Sequence, residues 1–249
     1  MLLRAILTCL VLIAIWGAAV ALFAPPPFIL PGPVRVFQTL ADQWPSLLDN
    51  AAITLFEIIL GLILGTVLAV ATALVVHAIP WTQRYVMPVV VSSQALPVFA
   101  IAPLLVLWFG LGLGSKIAMA TLIIYFPICS ALSDGLARAD AQWLDLARVH
   151  GANRWQTLVH FRLPAAMPSL ASGLRVAATI APIGAVVGEW VGASGGLGYV
   201  INQANARMQT DTVFAALILL MLMVVILRYV VDKILDKAVH WAPKTSLPL

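Results

Sequence analysis

Gly192-Ala193-Ser194-Gly195-Gly196 fits the Gly-x-Ser-x-Gly pattern that lifts a serine nucleophile onto a sharp turn, and in an apolar chain it would suit an intramembrane serine hydrolase. That serine needs a general base within hydrogen-bond reach. His77, His150, His160 and His240 all fall on the opposite side of the membrane from Ser194, so the hydrolase reading is disfavoured and residues 192–198 read as a flexible glycine-rich turn. No His-Glu-x-x-His helix exists to hold zinc. Gly110, Gly112, Gly114 and Lys116 mimic a phosphate loop in composition alone, because that loop needs Gly-Lys adjacent between a strand and a helix. They read as an outer turn. Cys9 and Cys129 sit in apolar runs and read as small hydrophobes. Catalytic, metal and cofactor sites are therefore not expected in this chain.

The remaining polar residues point to a pathway rather than a reaction. Glu57 lies inside an apolar run, where an acid costs about 3 kcal/mol unless it faces a polar cavity or a partner. Glu189 and Trp190 end a later run, as a substrate contact or an interfacial anchor. Ser92, Ser93 and Gln94 form a polar cluster that could face the same cavity. The pathway candidates are Glu57, Ser93, Gln94, Glu189 and Trp190.

The elements that must position these residues follow from composition. The chain has 249 residues, 62% hydrophobic and 10% charged, with a mean hydropathy of +1.03. Soluble domains are near 45–50% apolar and about 25% charged. One globule cannot hide such an excess, so the solvent is a bilayer, and disordered chains, secreted disulfide scaffolds and ordinary cytosolic enzymes are excluded. Six runs can cross about 30 Å of hydrocarbon: Ala5–Phe23, Ile53–Val76, Tyr85–Gly110, Ile117–Leu132, Leu170–Val187 and Val213–Val231. Continuous apolar runs without alternation exclude a barrel, and helices alone satisfy their own backbone in lipid. The first run is longer than a signal-peptide core and reads as a retained helix. Residues 24–50, rich in proline, read as an extended outer segment with one short interfacial helix. Gly61 and Gly65 suit close helix packing, within the chain or between subunits. Pro88, Pro97, Pro103, Pro127 and Pro182 interrupt the spans.

With the amino terminus inside, Arg4, Arg84, Arg138, Arg148, Arg154, Arg162, Arg175, Arg228, Lys233, Lys237 and Lys244 lie at the inner side, leaving Arg35, Lys116 and Arg207 outside. That asymmetry is a strong positive-inside signal. It accounts for the net charge of +4 without nucleic acid. Both termini are then expected in the cytoplasm.

The inner loop, residues 133–168, is the most structured polar stretch. Asp140 can cap a helix ending near His150, with Gly151 in the left-handed position that closes it. Asn153 and Gln156 have capping-box spacing for a second helix, which Pro164 is expected to stop after Leu163. Trp143, Leu144, Leu146, Ala147, Trp155, Leu158 and Val159 give the pair an apolar surface. It could press on a partner protein, or lie on anionic lipid through Arg138, Arg148, Arg154 and Arg162. The spacing decides between them. Asp145-Leu146-Ala147, three residues, Gly151, nine residues and Phe161-Arg162-Leu163-Pro164 resemble the Glu-Ala-Ala loop of the permease subunits of ATP-binding-cassette (ABC) importers. Asp145 stands for Glu, Leu146 for the first Ala and Phe161 for Ile.

This resemblance implies an all-α integral membrane protein of about six transmembrane helices with the type I ABC importer permease fold, one domain over residues 1–249, in the bacterial inner membrane. The loop would be the coupling helix, with Asp145, Leu146, Ala147, Gly151, Leu163 and Pro164 forming or framing its contact with a separate ATPase. Implied partners are two ATPase copies, a periplasmic or lipid-anchored substrate-binding protein and a second copy of this chain. ATP and magnesium would be used by the ATPase alone. Residues 181–192 and 205–211 look most like permeases for hydroxymethylpyrimidine, the thiamine precursor, within the nitrate, sulfonate and taurine group. Carboxylates at Glu57 and Glu189 with Trp190 would suit a neutral aromatic amine, whereas a sulfonate or nitrate path calls for cations.

Overall fold

The computed structural model describes residues 2–93 and 97–241. Among them every regular element is helical: α1 (Leu2–Phe23), α2 (Pro33–Asp42), α3 (Trp44–Ala78), α4 (Pro80–Ser93), α5 (Val98–Phe109), α6 (Leu113–Ala137), α7 (Ala141–Val149), α8 (Arg154–Thr157), a π-turn (Leu158–Arg162), α9 (Leu163–Gly192), α10 (Leu197–Ala206) and α11 (Thr210–Ala238).

Four of these are long and apolar enough to span a bilayer: α3, α6, α11 and the continuous 39-residue rod Arg154–Gly192 formed by α8, the π-turn and α9. The expected third span, Tyr85–Gly110, is not one helix. It is a bent pair, with Arg84–Ser93 and Val98–Phe109 inclined at 102°, which makes a fifth crossing if counted as one. Pro97 explains the break, since its φ of −67° and ψ of 118° are extended and it supplies the N-cap of α5. Pro88, Pro103, Pro127 and Pro182 instead lie within helices. The expected first span corresponds to α1, whose stretch Leu7–Phe23 is a shorter apolar helix.

Small residues let α6 sit between α3 and α9. A methyl group on Gly61 would come within 2.5 Å of the Ala120 side chain, and one on Gly65 within 2.6 Å of Ile124. Gly184 faces Ala120 in the same way at 2.6 Å, Gly188 faces Lys116, and Gly173 faces Ala131. The numbers rise together between α3 and α6 and run oppositely between α6 and α9, so α3 and α6 are parallel and α9 antiparallel. Gly61 and Gly65 thus pack within this chain, as close helix approach in lipid requires. Outward faces stay apolar: Ile59, Ile63 and Val67 on α3 and Met221, Val225 and Ile226 on α11 are exposed.

The bundle has an α10 end and an α7 end. At the α10 end the proline-rich segment after α1 is anchored to α11: Thr210 donates to the Phe28 carbonyl at 2.6 Å, and Arg35 on α2 meets Asp211 at 3.0 Å. In the α7 half, Arg175 on α9 meets Asp232 at 2.9 Å and Asp236 at 2.8 Å on α11, and Arg228 meets Asp232 at 2.9 Å.

Candidate functional site

The α7 end carries a projecting pair of short helices. Asp140 accepts from the Gln142 amide at 2.9 Å and starts α7. Gly151, at φ +68°, ends it, with the Gly151 amide on the Arg148 carbonyl and the Ala152 amide on the Ala147 carbonyl, each at 3.0 Å. Those two bonds are the pairing of a Schellman cap, which favours glycine at this φ. Asn153 and Gln156 then make a reciprocal capping box at the start of α8. Pro164 does not stop the chain, contrary to expectation: it sits in the first turn of α9 and the helix runs on. The π-turn is the reason. The Leu163 amide reaches back to the Leu158 carbonyl, and this wider turn just before Pro164 relieves the ring's conflict with the preceding carbonyls.

Within α7 the residues divide by face. Leu146 is 43% exposed, with Trp143 and Val149 also exposed beside it, whereas Ala147 is 0% exposed and packs into the bundle. Trp155 adds a further exposed aromatic on α8. Asp145 pairs with Arg148 at 2.8 Å, both side chains largely in solvent, so the pair orients its own helix and adds little stability. Leu163 is half-buried against the main core.

A buried polar cluster occupies the α10 end. Glu57 on α3 is 0% exposed, Lys116 on α6 5% and Glu189 on α9 1%. Lys116 Nζ lies 3.0 Å from Glu57 Oε1, an ion pair whose geometry does not make a directed hydrogen bond to the carboxylate. Lys116, read from the sequence as an outer-turn residue, is therefore an interior cation. Glu189 accepts from Thr54 Oγ1 at 2.7 Å and from the amides of Gly198 and Tyr199. The Leu197 amide donates to Thr54 Oγ1 and the Gly196 amide to Asn50 Oδ1, each at 2.8 Å. Four successive amides at the start of α10, the usual orphans of a helix N-terminus, thus all end on side chains of α3 and α9. Gly196, at φ +107°, and Gly198 leave the room that Glu189 fills.

The pathway candidates consequently separate. Glu57 and Glu189 face each other's elements inside the chain. Trp190 is 44% exposed, with its ring 6.2 Å from that of Phe99 on α5. Ser93 is half-buried and donates to the Val90 carbonyl at 2.7 Å. Gln94 lies outside the described residues. Ser194 lies in the turn between α9 and α10, while His77, His150, His160 and His240 lie at the α7 end, so no histidine serves it as a base. Sequence reasoning missed Lys116, Asn50, Thr54 and α10 itself. An acid deep in a span calls for a basic partner, and Lys116, two residues past the glycines, was the available one.

Comparison with known proteins adds the family. Residues 58–241 match the family described as the binding-protein-dependent transport system inner membrane component. A probable ABC transporter permease of Haemophilus influenzae is 47% identical, over 95% of this chain and 96% of its own. The formylaminopyrimidine transport permease ThiX of Halalkalibacterium halodurans is 34% identical over 94% of each chain. The riboflavin transport system permease RibX of Chloroflexus aurantiacus is 36% identical over 94% of this chain and 88% of its own. Among solved structures, a chain of the MetNI methionine ABC transporter shares the fold at a TM-score of 0.69 and 20% identity, covering 80% of this chain and 98% of that one. On the family match and the near-complete overlap with these relatives, the chain belongs to the permease subunits of ABC transporters, the inner membrane components of binding-protein-dependent transport systems.

Proposed function

We propose that two copies of this chain form the path for a thiamine-precursor pyrimidine, driven by two ATPase subunits at the α7 end and loaded by a binding protein at the α10 end. The α7 end and both termini lie in the cytoplasm in this reading, supported by the concentration of arginine and lysine there. The ATPase contact uses the exposed face Trp143, Leu146 and Val149, with Trp155 beside it. Ala147 lets α7 seat on the bundle and Gly151 shapes the turn. ATP and magnesium stay with the partner, and this chain performs no covalent step. Closure of the ATPases presses α7 and α8, tilts the rod Arg154–Gly192 and alternates access to a central cavity.

The substrate reading rests on one observation: the cations inside the spans are already spent. Lys116, Arg175 and Arg228 each meet a carboxylate, so no free guanidinium or ammonium among them would hold a sulfonate or nitrate. The carboxylates Glu57 and Glu189 are likewise occupied, so recognition passes to the exposed pair Phe99 and Trp190, on which a planar heterocycle can stack. The relative named for formylaminopyrimidine supports the same class. The test is uptake of labelled hydroxymethylpyrimidine into liposomes holding the permease, its ATPase and its binding protein. Competition by formylaminopyrimidine but not by taurine is expected. Competition by taurine alone would overturn the substrate and leave the permease assignment standing.

A further inference from the structure

A cavity of about 400 Å³ lies behind the coupling helix, between α7, α8, the π-turn and the C-terminal end of α3. That size matches ordinary ligand sites. Its apolar wall is Val76, Leu144 and Leu158, and its charged rim is Arg148, Arg154 and Arg162. Leu144 and Arg148 are one turn apart and face it, while Leu146 and Val149 remain on the other, exposed face of α7. Of the arginines only Arg148 is neutralised, by Asp145. Among the described residues Arg154 and Arg162 meet no carboxylate, so two positive charges converge on one concave space without a counter-ion. His77 also lines the space. Its Nδ1 sits 3.0 Å from the Ala73 carbonyl and its Nε2 has no partner.

The geometry points to a site for a phosphate-bearing anion seated behind the coupling helix. Forked guanidinium groups match phosphate oxygens, and uncompensated arginines at the cytoplasmic end of a span attract anionic headgroups. The wall of Val76, Leu144 and Leu158 suits the glycerol and first methylenes of a lipid better than a wholly hydrated ion. Occupancy would wedge α7 away from the end of α3, so the anion would set how far the coupling helix stands off the bundle.

The experiment uses the assembled permease and ATPase in nanodiscs of phosphatidylcholine, with either 10% phosphatidylglycerol or added inorganic phosphate as the probe. Native mass spectrometry counts retained lipid, and phosphorus NMR follows the free anion. One phosphatidylglycerol retained per chain identifies a headgroup, and phosphate bound in pure phosphatidylcholine discs identifies a soluble anion. Either supports the site. R154Q and R162Q should each weaken binding about fivefold, R154K should keep it, and R138Q, at the same end but outside the cavity, should change nothing. Should R162Q fail to assemble, R154Q at its exposed position carries the test. No binding of either probe to the assembled complex, or equal loss in R138Q, would overturn the proposal. Binding is read without transport substrate, so its failure leaves the permease reading untouched.

Discussion

Removing Lys116 strands Glu57 in apolar surroundings, and a buried charge without its partner is far costlier than a missing pair. The single variant K116M should therefore lose about 3–5 kcal/mol of stability, seen as a lowered unfolding midpoint in detergent, and E57Q/K116M should recover most of it. Equal losses in the single and double variants would refute the pair. At the other carboxylate, E189Q places an amide where the Gly198 and Tyr199 amides and the Thr54 hydroxyl converge. Hydrogen exchange at residues 198 and 199 should accelerate at least tenfold while α3 and α6 stay protected, and unchanged exchange would show that the start of α10 is held otherwise. The sequence announced Glu57 and Glu189 as anomalies and left their partners open, because the pairing depends on which helices become neighbours. Lys116 looked like a loop residue for a local reason, the glycines at 110, 112 and 114, although α6 begins among them at Leu113.

At the level of elements, α7 and α8 were the most legible, since Asp140, Gly151, Asn153 and Gln156 each carry a local capping signal. Pro164 misled, because a proline's effect depends on the backbone before it and the π-turn leaves no residue signature of its own. The bent pair α4 and α5 was hidden by an unbroken apolar composition, and α10 by the glycines that make room for Glu189. Gly151 separates two roles: nothing lies within 4 Å of where its side chain would be, but its φ of +68° favours residues at ease in the left-handed region. G151N should preserve folding and, if small size matters at the ATPase contact, reduce coupled transport with ATP hydrolysis retained. G151E should abolish coupling. Full transport by both would remove the glycine from the contact. Between spans, G61V and G184V push a side chain into Ala120 from opposite sides, and each should cost about 1–3 kcal/mol, measured as a lower melting temperature of the purified chain.

Taken whole, the molecule places its projecting α7–α8 pair and its buried polar cluster at opposite ends of one helical rod. Thirty-nine residues at 1.5 Å each make about 58 Å, so a tilt of about 5° at α8 carries the far tip by about 5 Å. No relay of side chains is needed between them. In the proposed orientation, a fluorescent protein fused after the last residue should glow and an alkaline phosphatase fused there should be silent. The reverse result would invert the chain and detach α7 from any ATPase. The π-turn adds a rotational consequence. Each residue advances a helix by about 100°, and a π-turn works as one residue too many for the α spiral. Winding residues 158–162 as plain α at unchanged length would swing Trp155 about a quarter-turn around the axis, whereas deleting one of them would restore plain winding and leave Trp155 near its present bearing. The wide turn thus sets the compass bearing of the α7–α8 pair independently of the span beneath it.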